Sequence, residues 1–280
     1  MNQKPNVLTA LLFLFAVIAV SAQEVFKNNE LTITKLELNM WVVETTDMTT
    51  MYIVEGTERA MLIDTGTKTE NLDSIVKLIT QKPLDVVVTH IHPDHAGNMY
   101  FFDQVFFHLA DTVLMGLFGK NYSGKISFIN DGHIFDLGGT KLEVVFTPGH
   151  TPGSIVLIDR AKGNCYSGDS FGSGQVWMQL QPQVSMAVYA ESCRKMEALM
   201  DEGITKIYCG HYPYVKSAFD KDYINNMRQL AEQLTIGTAP EGDDYPNRVE
   251  IGPANPKIVT LNDASIVYDP ENISSAKSKK

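Results

Sequence analysis

The segment Thr89-His90-Ile91-His92-Pro93-Asp94-His95 holds three of the chain's seven histidines, with an aspartate among them. His90 and His92 are two residues apart, so in extended backbone both imidazoles project to one side, within reach of one ion. Pro93 ends the extended run, and Asp94 and His95 then enter a turn or helix where they address a second position. Imidazoles with a carboxylate make a donor set for zinc and similar ions. Three further residues of metal-ligating type each follow an apolar strand: His150 in "TPGHTPGS", Asp169 in "YSGD" and His211 in "YCGH". Side chains on loops at strand ends converge on one rim of a sheet sandwich. The two histidines left over, His108 in "VFFHL" and His133 in "NDGH", read as ordinary strand and turn residues.

The elements that must carry these residues alternate strands with turns and then add helices. "MYIVEGTERAMLIDTG" reads as a hairpin around Gly56-Thr57-Glu58-Arg59, its second strand ending at Asp64. Leu72, Ile75, Val76 and Ile79 fall at helical spacing, and Lys82-Pro83 stops that helix. "LDVVVT" is a continuous apolar run of the kind buried on both faces, and the histidine segment begins where it ends. The second half runs strand, Gly-Gly turn, strand, loop, strand, turn, strand. A helix follows with Tyr189, Cys193, Met196 and Met200 on one face and Gly203 at its C-cap. Then come the strand "ITKIYCGH", the helix "SAFDKDYINNMRQLAEQL", a Gly/Pro/Asp-rich loop after Gly237 and a last hairpin in "PKIVTLNDASIVY". Two groups of strands, each followed by helices and without a compositional break, predict an α/β domain over residues 23–280. Its two sheets pack face to face with helices outside.

Composition narrows the function. The chain has 280 residues, 44% of them apolar, enough for a proper core. Its net charge of −10 disfavours phosphate backbones, so nucleic acid is not an expected partner; a small-molecule substrate is. Residues 1–22 carry Lys4, an apolar run from Leu8 to Val20 and the small-residue end Val20-Ser21-Ala22, the order of a cleavable signal peptide. The run is short for a span, so a secreted or periplasmic protein with no stable membrane association is expected after cleavage near Ala22. Three cysteines exclude a disulfide scaffold; Cys165, Cys193 and Cys209 are read as buried free thiols. The sequence leaves the oligomeric state open.

His-x-His-x-Asp-His followed by three spaced ligands resembles the metallo-β-lactamase superfamily over roughly Thr45 to Tyr214. The resemblance implies a four-layer αβ/βα sandwich. It implies that His90, His92 and His150 hold one metal, that Asp94, His95 and His211 hold a second, and that Asp169 bridges them. Asp64, in "LIDTG", matches the family's early aspartate, which braces the metal loop. Two divalent ions so placed would share a hydroxide that attacks an ester, thioester, lactone, amide or phosphodiester bond, with Asp94 orienting it. Zinc is the default metal, and iron or manganese also suits the carboxylate-rich side. The pattern is nearer the glyoxalase II type than the true β-lactamases. A β-lactamase and an iron-dependent sulfur dioxygenase are the alternatives. Trp177 and Tyr212 are candidate substrate contacts.

Overall fold

The structure, a computed structural model, describes residues 22–273. The expected signal peptide, Ala22 apart, and the basic tail lie outside the described residues. The first sheet takes its strands in chain order: β1 (Gln23–Lys27), β2 (Leu31–Glu37), β3 (Met40–Thr45), β4 (Thr50–Glu55), β5 (Ala60–Ile63), β6 (Leu84–Val87), β7 (Gln104–His108) and β8 (Lys125–Ile129). It is antiparallel from β1 to β5 and parallel from β5 to β8. Parallel neighbours need crossovers. Helix α1 (Leu72–Ile79) supplies the first, the short α2 (Pro93–Ala96) lies in the second, and α3 (Thr112–Phe118) lies in the third.

The second sheet runs β9 (Ile134–Asp136), β10 (Lys141–Phe146), β11 (Ile155–Asp159) and β12 (Asn164–Gly168) as an antiparallel meander. Gly138 and Gly139, both at positive φ, close the β9–β10 hairpin as the Gly-Gly pair requires. A short strand β13 (Gln175–Trp177) and helix α4 (Met186–Asp201) precede β14 (Lys206–Cys209), which adds parallel to β12. The chain ends with α5 (Tyr212–Val215), α6 (Lys221–Ile236), β15 (Asp243–Asp244) and the expected hairpin of β16 (Lys257–Leu261) and β17 (Ala264–Tyr268). That hairpin joins β13 in a third sheet, ordered β13-β17-β16-β15.

Alternation along the strands builds the four layers. Val42, Val54 and Ile63 of the first sheet pack with Val144, Leu157 and Tyr166 of the second, forming the central core. Their neighbours Val43, Ile53 and Leu62 point outward under Leu72 and Val76 of α1 and Leu114 of α3. Val145, Val156 and Ile158 point outward under Tyr189, Cys193 and Met196 of α4 and Met227 and Leu230 of α6. A strand covered on both faces has no polar side, which explains the unbroken apolar runs. Each such fully buried aliphatic side chain contributes about 1.5–3 kcal/mol. The third sheet also packs on the α4–α6 layer, through Val259 and Ile266.

The helix ends follow local chemistry. Ser185 accepts from the Val188 N–H ahead of α4, and Asp220 accepts from Asp222 and Tyr223 ahead of α6. The last helix therefore begins at Lys221, and residues 217–220 lie outside it.

Candidate metal centre

Strand β5 ends at Ile63, and Asp64 turns the chain with a φ of 63°. That conformation costs a non-glycine residue roughly 1–2 kcal/mol, and three hydrogen bonds sustain it. The Asp64 carboxylate accepts from the Thr89 N–H at 2.7 Å, the Thr89 hydroxyl at 2.9 Å and His95 Nδ1 at 2.8 Å. Thr65 adds two bonds to the His95 carbonyl, at 2.7 and 3.0 Å. The "LIDTG" turn thus clamps both ends of the histidine segment.

Seven side chains gather at this rim in two groups, each with its candidate ligand atoms within 4.8 Å of one another. The first is His90, His92 and His150; the second is Asp94, His95, Asp169 and His211. Every metal-ligand residue expected from the sequence is therefore brought together. His90 and His92 come from the loop after β6, His150 from the loop after β10, Asp169 from the end of β12 and His211 from the end of β14.

Hydrogen bonds set the tautomers in the first group. Thr89 Oγ1 already donates to Asp64, so it accepts from His90 Nδ1 at 3.1 Å, which leaves a lone pair on Nε2. His150 Nδ1 donates to the Trp177 carbonyl at 2.8 Å, which frees its Nε2. That atom lies 2.9 Å from His92 Nδ1. Burial pushes all three imidazoles below their ordinary pKa, His92 to about 3. The neutral form is the ligating one.

The second group is arranged in the opposite sense. Burial works against the charge on His95, but the Asp169, Asp94 and Asp64 carboxylates outweigh it and raise the imidazole well above its usual range. His211 is raised in the same way by Asp169 and Asp94, its Nε2 lying 3.2 Å from Asp169 and 3.4 Å from Asp94. Its Nδ1 donates to the Met48 carbonyl at 3.0 Å. Burial also opposes the charges on Asp94 and Asp169, and the same two imidazoles overcome it, holding both carboxyls below the ordinary carboxylate range.

The donor set fits two divalent cations. His90 Nε2 is buried without any hydrogen-bond partner, and His95 Nε2 and Asp169 Oδ1, 3.4 Å apart, face each other without a good hydrogen bond. Such atoms are costly to leave unmet, and a cation at each group would satisfy them. Gly210 permits the close approach of the last strand: a Cβ there would lie 2.4 Å from the His95 ring and 2.5 Å from Asp169 Oδ1.

Asp111 belongs to the same region and was not among the residues expected from the sequence. It is fully buried, and its carboxylate accepts from the Ile91 N–H at 2.8 Å, the Thr151 hydroxyl at 3.0 Å and the Gly153 N–H. Burial still pushes its carboxyl up, to about 6.

Of the candidate substrate contacts, Trp177 lies beside the site through its carbonyl, and its ring packs edge-on against Tyr245. The Arg248 guanidinium caps that tyrosine, 5.6 Å from the ring centre. Tyr212 is differently placed. Its half-buried ring packs at the edge of the sandwich beside Tyr208, because residue 212 turns back over the central core. The exposed Tyr214 is the tyrosine whose ring neighbours His211. His108 stacks on Phe146 and His133 sits edge-on to Phe135, both as ordinary residues. The three cysteines are free and buried, and none belongs to either donor group.

The family model described as "Metallo-beta-lactamase superfamily" matches residues 45–211. The chain belongs to that superfamily. Among its relatives, the acyl-coenzyme A thioesterase MBLAC2 of Gallus gallus is 27% identical over 203 residues, covering 58% of this chain and 72% of the relative. The hydroxyacylglutathione hydrolase of Photobacterium profundum is 27% identical over 157 residues, covering 54% of this chain and 56% of that enzyme. In solved structures, a metallo-beta-lactamase from Erythrobacter litoralis superposes with a TM-score of 0.57 at 21% identity, covering 74% of this chain and 99% of that one. This last likeness carries the fold. With these relatives and this donor set, the protein is a metal-dependent hydrolase of the superfamily.

Proposed function

We propose that the protein is an exported thioester hydrolase that works with two divalent ions, zinc by default. The observation that carries the metal reading is the pair of donor groups with their buried atoms that lack a good hydrogen bond, His90 Nε2, His95 Nε2 and Asp169 Oδ1. The choice of thioester rests on the named activities of two relatives, an acyl-coenzyme A thioesterase and a hydroxyacylglutathione hydrolase. Export rests on the character of residues 1–22 alone.

His90, His92 and His150 would hold one ion, Asp94, His95 and His211 the other, with Asp169 between. Two such ions lower the pKa of water and polarise an acyl oxygen. The chain's own residues supply the rest. Asp94 is the least enclosed of the ligands, its side chain 35% exposed, so it faces the space a substrate enters. Its carboxylate is held ionised by His95 and His211 and can orient the attacking water as a hydrogen-bond acceptor. Asp64 and the Trp177 carbonyl keep His95 and His150 in the tautomers that present Nε2 to the site.

Every cysteine thiol lies outside the two donor groups. Cys209 is buried and pushed up to about 12, which keeps it a neutral thiol. The test is turnover of acyl thioesters by zinc-loaded protein, beside a lactone, a β-lactam and a phosphodiester. Chelator-sensitive cleavage of the thioester above the others is the expected result. Preferred cleavage of another bond would overturn the substrate assignment, and oxygen uptake by iron-loaded protein would favour the dioxygenase chemistry. Recovery of the mature chain outside the cytoplasm, starting near Gln23, tests export.

A further inference from the structure

We propose that Asp111 is a positioning residue for the three-histidine half of the site, clamping the His90–His92 loop to the His150 loop and so setting the separation of His92 and His150. The inference rests on the two-ion reading above.

Asp111 lies between β7 and α3, on neither histidine loop, yet its side chain bonds to both. Oδ2 accepts from the N–H of Ile91, the residue between His90 and His92, at 2.8 Å. The same oxygen accepts from the hydroxyl of Thr151, the residue after His150, at 3.0 Å. Oδ1 accepts from the Gly153 N–H. One carboxylate is thus the hub of two loops that are 58 residues apart at their facing nitrogens, His92 Nδ1 and His150 Nε2, which meet at 2.9 Å.

Two details show that the arrangement is specific. Asp111 stands where a helix N-cap would, immediately before α3, but its side chain makes no capping bond. It has turned inward, giving up a bond worth ~1 kcal/mol at a helix end. The chain opposite also leaves room for it: a Cβ on Gly153 would lie 2.5 Å from both Asp111 Oδ1 and its N–H. Asp64 does the corresponding work elsewhere. It reaches His95 directly and His90 through Thr89, and makes no bond to the His92–His150 pair. The Trp177 carbonyl sets the His150 ring, and Asp111 ties the two loops that carry the pair.

The test compares wild-type protein with Asp111→Asn, which keeps the shape but turns one acceptor oxygen into an N–H₂ group facing N–H and O–H donors. Zinc titration is followed by NMR of nitrogen-labelled histidine, which reads each imidazole separately. Thermal unfolding of the ion-free proteins reports folding. The expected result is a folded variant whose zinc affinity at His90, His92 and His150 falls about 10–100-fold, with affinity at His95 and His211 unchanged. Equal loss at both positions, or no loss at either, overturns the proposal. Should Asp111→Asn fail to fold, Thr151→Val removes one of the three bonds and is judged by the same selectivity, with a smaller loss expected. Failure of the two-ion reading would look different, since the wild-type protein would then bind no zinc at one or both groups.

Discussion

Loading the two positions with zinc should expel different numbers of protons. The three imidazoles of the first group are already neutral at pH 7, with burial holding His92 down to about 3. An ion entering there opens the hydrogen bond between His92 Nδ1 and His150 Nε2 but expels no net proton. In the second group, Asp169 and Asp94 keep His95 and His211 protonated beyond their ordinary range. Each ring has its Nδ1 hydrogen committed, to Asp64 or to the Met48 carbonyl, so only the Nε2 proton can leave. Filling the second position should therefore release about two more protons than filling the first. Each released proton makes affinity change tenfold per pH unit, so two make it change about a hundredfold, or ~2.7 kcal/mol. Affinity at the second position should fall steeply as pH drops, while that at the first stays flat through neutrality. Calorimetric titration in two buffers of different ionisation enthalpy counts the protons directly. Equal release in the two steps, or more in the first, would refute the assignment of charge to the two halves.

Three further outcomes follow from the geometry. Gly210→Ala should weaken metal at the His95–Asp169–His211 side more than at the three histidines, because the new methyl overlaps the His95 ring; metal content per chain checks it. Asp94→Asn should lower kcat by about 10²-fold through loss of the acceptor that orients the water; a loss explained wholly by lost metal, measured on the same samples, would count against that role. The ion-free protein should be most stable between two limits. The contribution of His95 and His211 is fully present below their unfolded value near 6.5 and fades as pH rises through their raised folded values. That of Asp94 and Asp169 is present above the unfolded value near 3.8 and fades as pH falls through their lowered ones, and the three lowered imidazoles of the first group add to this acid limb, costing stability as pH falls below their unfolded value near 6.5. Midpoints of thermal unfolding across pH, with chelator present, should trace both limbs.

The strands of the sandwich were legible in the sequence because burial on both faces leaves consecutive apolar residues, as in Val86–Val88 and Ile155–Ile158. The metal-ligand side chains were legible for a related reason. His90, His150, Asp169 and His211 closely follow such runs, and the clustering of His90, His92, Asp94 and His95 in six residues makes the pattern distinctive. The features without a sequence signal act through backbone or through misleading local context. Asp111, in "HLADTVLM", has the appearance of a helix cap, and only the fold shows its carboxylate turned inward. The Met48 and Trp177 carbonyls that orient His211 and His150 have no side-chain signature at all. Strand β13 is three residues long and belongs to a sheet completed some ninety residues later, so no local pattern announces it. Tyr212 adjoins a ligand in sequence, but the turn after β14 carries its ring to the sandwich edge.

The pairing of β13 with β17 has a consequence for the order of assembly. Trp177, whose carbonyl fixes the hydrogen on His150, lies in register with Val267, near the end of the described chain. The antiparallel strands β1 to β5 of the first sheet can close from local hairpins, but this brace waits for the closing of a long loop. A chain still being synthesised lacks the partner strand that holds Trp177. Its third histidine is then free to turn. A chain lacking residues 257–273 should therefore fold its central sandwich yet hold an ion at the three histidines less tightly, which zinc titration of the truncated chain checks.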